Sequence, residues 1–348
     1  MIGWPCREPI RVGLIVNLCA GAGAERIRAA ARRVLEQLAP LSVVAVEGGA
    51  ETGLADEVGA RVCAAPSGDG TTEGIEIRAR RVLDAGVDLI VGVGGDGTLC
   101  DIAAALFRGT ERPPLLGVGM GSANVGPLVS IRESEVASLA RGTLHEEMAR
   151  SVDAYVADEW VGCAFNDVVV SNSFFGTRKG RRVDLDAGAK LSGETRETEP
   201  ATVCTRKTWI AKNGQRLIEN GDGGIRQVLA SPINNGLAYA GKAISGLMCW
   251  APYVGNHGVL AAASQVMIRA NLDAADIVAG EPLHLRHVSF GVNDVVEVGG
   301  MTSGAVLVLD GNPMRQLGKD EAFVLRLRSE AIRVLRPGTG GQLQEEVE

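Results

Sequence analysis

The chain of 348 residues has a formal net charge of −7 and a pI near 5.4, which excludes a nucleic-acid binder acting through a general positive field. With 46% hydrophobic and 22% charged residues it is long enough for two cores of ordinary domain size. Its 46 glycines follow no fixed period, which excludes collagen and repeat arrays, and the absence of an 18-residue apolar run or leader pattern leads us to expect a cytoplasmic protein with no membrane partner.

"RVGLIVN" (11–17) reads as a buried parallel strand, and "LCAGAGAE" after it as a glycine loop. Residues 24–38 have helical spacing, with Ile27, Val34, Leu35 and Leu38 on one face. A second strand is predicted over 41–47 and a helix over 72–84. "VDLIVGVGG" gives a third buried strand, "TLCDIAAALF" (98–107) a helix, and "PPLLGVGMG" a fourth strand with another glycine turn. Such alternation predicts a parallel sheet with helices on its faces, an α/β domain over 1–148. After that the texture changes to short β-rich runs broken by "KNGQ" and "DGNP", which predicts a mainly antiparallel domain over 149–335. Residues 184–200, acidic and polar, read as a loop, and 336–348 as a frayed tail.

The 7 cysteines show no CxxC spacing and read as small buried hydrophobes of a reduced compartment. "HLRH" (284–287) lacks the companions of a metal site and reads as a strand edge, so no protein-held metal is expected. The cluster "GTRKGRRVD" (176–184) reads as a solvated loop, with phosphate clamping by Arg178, Lys179, Arg181 and Arg182 as the alternative.

"GDGT" occurs twice. The copy at 68–71 follows a short stretch broken by Pro66, and Asp69 or Thr71 there reads as a helix cap. The copy at 95–98 is different: an apolar strand runs directly into Gly94-Gly95-Asp96-Gly97-Thr98 and then into a helix. Ligands of parallel sheets bind beyond the carboxyl ends of the strands. There glycines let backbone press against phosphate oxygens, and a helix N-terminus offers N–H groups and positive dipole. Thr98 is a candidate cap for that helix. A carboxylate among phosphates is repulsive unless it meets Mg²⁺ or takes a proton from an attacking hydroxyl, so Asp96 is the candidate catalytic base. Gly92-x-Gly94-x-x-Gly97 also fits GxGxxG, but the next strand ends in "GVGMGSAN" without the acid that a dinucleotide-binding dehydrogenase needs.

At "GVGGDGTLCDIAAAL" the sequence resembles the ATP-NAD kinase family, whose GGDGT loop is shared with diacylglycerol and sphingosine kinases. "RVGLIVNLCAGAG" is similar to that family's opening strand and loop, which includes Asn17, and most of all to its acetoin-catabolism protein X branch, with Leu18 and Cys19 replacing the usual residues. "PLLGVGMGSANVGPL" stands where the second glycine loop is found, and Gly121-Ser122-Ala123-Asn124 also leans toward a lipid-kinase loop. "FNDVVV" (165–170) resembles the Asn-Glu motif, with Asp167 in place of Glu. "ASPINNGLAYAG" (230–241) resembles T-P-T-G-S-T-A-Y through Ser231-Pro232 and Ala238-Tyr239, with one extra residue between.

The resemblance implies a two-domain kinase, α/β followed by a β-sandwich, with its site in the intervening cleft. It implies ATP as donor with Mg²⁺, a nucleotide acceptor, and a homo-oligomer of the kind such β-rich domains often form. Position by position it makes Asp96 the base on the acceptor hydroxyl and gives phosphates to Gly94, Gly95 and Gly97. Asn166 and Asp167 would bind ribose hydroxyls, and Tyr239 a base. The residue chemistry agrees, because a carboxylate accepts from a vicinal diol and an Asn both donates and accepts. The apolar flanks of Asn166-Asp167 predict a mid-strand position, with a hairpin turn as the alternative. A lipid kinase and a nucleotide-binding module without turnover are the competing readings.

Overall fold

The computed structural model describes residues 10–46, 50–57, 61–65, 74–110, 112–121, 124, 126–178, 181–232, 257–266 and 283–338. They fall into two units, the first within Met1–Asn124, Leu128–Ala149 and Glu330–Glu348, the second within Val125–Pro127 and Arg150–Ser329.

In the first unit β1 (Arg11–Val16), α1 (Ala24–Leu38), β2 (Ser42–Val46), α2 (Ala50–Glu57), β3 (Arg61–Ala65), α3 (Ile75–Asp84), β4 (Leu89–Gly94), α4 (Asp96–Arg108) and β5 (Leu115–Gly119) follow in alternation, then the short β6 (Ile131–Arg132). The strands are parallel in the order β3-β2-β1-β4-β5, with β6 beside β5. β2, β4 and β5 are buried at every position, as continuous apolar runs require when helices cover both faces. Ile27, Ala31, Val34, Leu35 and Leu38 of α1 join Leu14, Val91 and Val118 in one core. The helix predicted over 24–38 spans those residues.

The second unit is built from β7 (Leu144–Val156), β8 (Glu159–Ala164), β9 (Val168–Ser171), β10 (Ser173–Arg178), β11 (Arg181–Asp186), α5 (Ala187–Leu191), β12 (Cys204–Lys212), β13 (Gln215–Glu219), β14 (Gln227–Ser231), β15 (Gly258–Ala263), β16 (Leu285–Phe290), β17 (Val295–Met301), β18 (Val306–Leu309), β19 (Asn312–Gln316) and β20 (Phe323–Pro337). The first residues of β7 and the last of β20 lie in the first unit, where Val334 pairs with Leu115 of β5. Antiparallel pairing gives a sheet in the order β16-β15-β14-β9-β18-β19 and the run β13-β12-β17-β20, with β7 paired to β8. Val152, Ile210, Leu260, Phe290, Val298 and Phe323 share its core. The polar breaks are tight turns: Asn213-Gly214 (φ 52° and 78°) joins β12 to β13, and Asp310-Gly311 (φ 49° and 81°) joins β18 to β19. Two successive positive φ values match the twist of a two-residue hairpin.

Three sequence expectations change. Residues 184–200 are not all loop, because β11 continues to Asp186, whose side chain accepts the Ala189 N–H at 2.8 Å and starts α5. The basic cluster 176–184 is not a free loop but carries the paired strands β10 and β11, with 179–180 outside the described residues. Among cysteines, Cys100 and Cys204 are buried as expected, whereas Cys19 is exposed. "HLRH" does run into an edge strand, β16. Among the described residues no helix is long and apolar enough to cross a membrane, and no three His, Cys, Asp or Glu side chains group as metal ligands.

Candidate functional site

The order β3-β2-β1-β4-β5 reverses direction between β1 and β4. Open α/β sheets bind ligands at the carboxyl ends of strands flanking such a switch point. The register brings the three ends level: Val16 pairs with Val93, and Gly94 with Gly119. The loops after β1, β4 and β5 therefore leave the sheet side by side.

Gly94 closes β4, Gly95 is the N-cap of α4, and Asp96, Gly97 and Thr98 form its first turn. Thr98 is thus not the cap. It sits a turn inside, 6% exposed, and its hydroxyl accepts from Asn17 Nδ2 at 2.9 Å. A Cβ on Gly94 would lie 2.7 Å from the Thr98 side chain, so this glycine makes room for the threonine. Gly95 offers no side chain to cap α4, which leaves the helix start to its own N–H groups and dipole. Gly97 has an ordinary φ and would meet nothing within 4 Å if it carried a Cβ. Neither backbone conformation nor packing among the described residues calls for glycine there. Asp96 is half-buried at the same helix start.

The neighbouring loops brace this turn. Asn17 Oδ1 accepts the Cys19 N–H at 3.0 Å, and the Asn17 N–H donates to Val93 O at 2.9 Å. The Ala22 N–H donates to Met120 O at 3.0 Å, and the Met120 N–H to Gly94 O at 2.6 Å. Asn124, at φ 53°, accepts from Gly121 N through Oδ1 at 2.5 Å and donates to Gly121 O through Nδ2 at 2.9 Å. Gly121 and Gly95 touch backbone to backbone: a Cβ on Gly121 would stand 2.7 Å from Gly95 Cα. Beside them opens a pocket of about 340 Å³, whose lining includes Gly21, Ala22, Gly121 and Asn124 together with Arg26 and Arg132. The first unit so brings together Asn17, Gly94, Gly95, Asp96, Gly97, Thr98, Gly121 and Asn124. Ser122 lies outside the described residues, as do the GDGT copy at 68–71, Ala238 and Tyr239.

Beneath the loop is a pair the sequence reading missed. Glu51 of α2 is fully buried, accepts the Val16 N–H at 2.8 Å and pairs with Arg78 of α3. Burial lowers the Arg78 pKa from its usual value. The pair fixes the residue before Asn17. One of three acids in an eight-residue helix, Glu51 gives no sequence signal of this.

In the second unit Asn166 and Asp167 are not mid-strand. They turn the chain between β8 and β9, which pair in different sheets, so apolar flanks on both sides mark two strands rather than one. Nor is the turn a hairpin, since β8 and β9 do not pair. Asn166 is buried, and its carbonyl accepts from Ser231 Oγ at 2.7 Å. The Ser231 hydroxyl, one of those matched to the T-P-T-G-S-T-A-Y segment, is therefore engaged with the backbone. Asp167 is partly buried, and its carboxyl is pushed up to about 7, first by burial and then by the nearby Asp310.

Comparisons with known proteins agree with this architecture. Residues 12–148 match the ATP-NAD kinase N-terminal domain. An uncharacterized protein of Archaeoglobus fulgidus is 28% identical over 330 residues, covering 94% of this chain and 98% of the relative. Yeast NADH kinase, solved with NADH, superposes with a TM-score of 0.51 at 12% identity, over 95% of this chain and 84% of that one. A candidate diacylglycerol kinase from Bacillus anthracis gives 0.51 at 14% identity, over 94% and 98%. The chain has an NAD kinase-like fold, α/β plus antiparallel β, and its residues 12–148 match the N-terminal domain of the ATP-NAD kinases.

Proposed function

We propose that the protein is an ATP-dependent phosphotransferase acting on a hydroxyl of NAD or a related small nucleotide. Gly97 carries the reading. A glycine in the first turn of a helix costs stability against alanine, about 1 kcal/mol in a helix interior, and neither conformation nor packing among the described residues repays it. Close approach of a ligand to the uncapped start of α4 does, and the chemistry of a helix N-terminus selects phosphate. Gly94, Gly95, Gly97 and Thr98 then receive donor phosphates, with Gly121 and Asn124 shaping the adjoining wall. Asp96 at the same helix start takes the proton from the acceptor hydroxyl, the role that gives a carboxylate reason to stand there. In the second unit Asn166 and Asp167 bind acceptor hydroxyls.

Mg²⁺ in such reactions neutralises phosphate charge and keeps much of its water. The likeness of residues 12–148 to ATP-NAD kinases and the yeast NADH kinase fold favour a dinucleotide acceptor. The placement in the acetoin-catabolism protein X branch rests on the 11–23 stretch alone. A lipid acceptor is the second reading, favoured by the Bacillus anthracis likeness.

The test is phosphate transfer from Mg-ATP, followed by mass spectrometry, to NAD, NADH, small polyols and diacylglycerol in vesicles. Transfer to NAD or NADH supports the proposal. Transfer to diacylglycerol alone selects the second reading, and nucleotide binding without transfer to any acceptor selects a module without turnover.

A further inference from the structure

The turn at 165–167 is held by a residue more than 140 positions away in sequence. Asp310 Oδ2 accepts the Phe165 N–H at 2.8 Å, and Oδ1 accepts the N–H groups of Asn166 and Asp167 at 2.7 and 3.0 Å. The Asp310 N–H returns a bond to Asp167 O at 2.9 Å. Three consecutive N–H groups converging on one carboxylate form an anion-binding nest filled from within the protein. Asp310 reaches it because the tight turn between β18 and β19 holds it at φ 49°.

The geometry points to Asp310 as a positioning residue: its carboxylate sets the shape of the Asn166–Asp167 turn and holds a second negative charge beside Asp167. On the elements around the turn, β14 presents the neutral Ser231, and the β18–β19 turn presents Asp310. Asp310 is also the charged group that, after burial, raises the Asp167 carboxyl. With Asp310 in place, the turn offers a carboxyl that is half protonated near neutral pH, able to donate as well as accept toward a hydroxyl. Without it, three backbone N–H groups lose their acceptor, and Asp167 loses its repulsive partner. Asp310 acts on ligand through Asn166 and Asp167.

The role in ligand binding rests on the proposed function, whereas the effect on the turn does not. Asp310→Asn keeps the size of the side chain but cannot accept from all three N–H groups, and it removes the charge. Carbon-13 NMR of the Asp carboxyls should place the Asp167 midpoint near 7 in the wild type and closer to the ordinary carboxylate range in Asp310→Asn. Calorimetry with NAD as probe should show at least tenfold weaker binding in the variant, with Mg-ATP affinity within twofold. Ser231→Ala, which removes only the strut to Asn166 O, should leave the midpoint unchanged. An unmoved midpoint in Asp310→Asn, or undiminished NAD affinity beside a lowered melting temperature, overturns the inference. A wild type that ignores NAD while its Asp167 midpoint still depends on Asp310 removes the acceptor reading and keeps the positioning role. Should Asp310→Asn not fold, hydrogen exchange in the wild type decides: fast exchange at 165–167 overturns the inference, and protection supports it.

Discussion

Asp167→Asn should make the protein more stable at pH 8 and change it little at pH 4. In the fold the Asp167 carboxyl titrates at about 7 rather than 3.8, because burial and Asp310 both disfavour its charge. The unfolded chain gives up this proton above about pH 4, while the folded chain keeps it to about 7. The folded state therefore loses stability across that window and no more above it. One pKa unit corresponds to about 1.4 kcal/mol, so the window holds about 4 kcal/mol at most, and the partial exposure of Asp167 lowers the figure. Asparagine is neutral throughout and escapes the penalty. Any lost contact adds an offset that does not vary with pH. Urea unfolding of both proteins at pH 4, 6 and 8 isolates the effect, since their other groups cancel in the difference. The variant should gain on the wild type by about 2 to 4 kcal/mol between pH 4 and 8. A gap that stays constant with pH, or moves against the variant as pH rises, would mean that the fold does not hold the Asp167 carboxyl above the ordinary carboxylate range.

Two further substitutions probe the first unit. Gly97→Ala should raise the melting temperature slightly, because the helix gains up to about 1 kcal/mol and the methyl meets none of the described residues, yet weaken Mg-ATP at least tenfold; unchanged affinity in calorimetry would remove the ligand-approach reason for this glycine. Glu51→Ala should cost about 3–5 kcal/mol in urea unfolding, since Arg78 then stays in place without its partner.

Much of the first unit could be read from the chain. A continuous apolar run, three glycines and an acid, then helical spacing suffice to set Gly94–Thr98 at the junction where β4 ends and α4 begins. These are local signals, and the residues that answer them lie within one turn. What stayed hidden is long-range. Strand order, and so the switch point, depends on which strands pair, which apolar runs do not encode. Thr98 reads as a cap by type, but its hydroxyl is engaged with Asn17, 81 positions away. Asn166-Asp167 reads as mid-strand because the apolar flanks of a corner between two sheets look like one run. Asp310 reads only as a turn residue in "DGNP", and nothing in that tetrapeptide announces three N–H groups from 165–167.

Asp96→Asn shows whether this carboxylate is the general base. Calorimetry with Mg-ATP and transfer from Mg-ATP to NAD should be measured side by side for variant and wild type. Mg-ATP affinity should stay within about threefold while transfer falls about 10²–10⁴-fold, the usual worth of a general base. Equal turnover in the two proteins would contradict that role for Asp96.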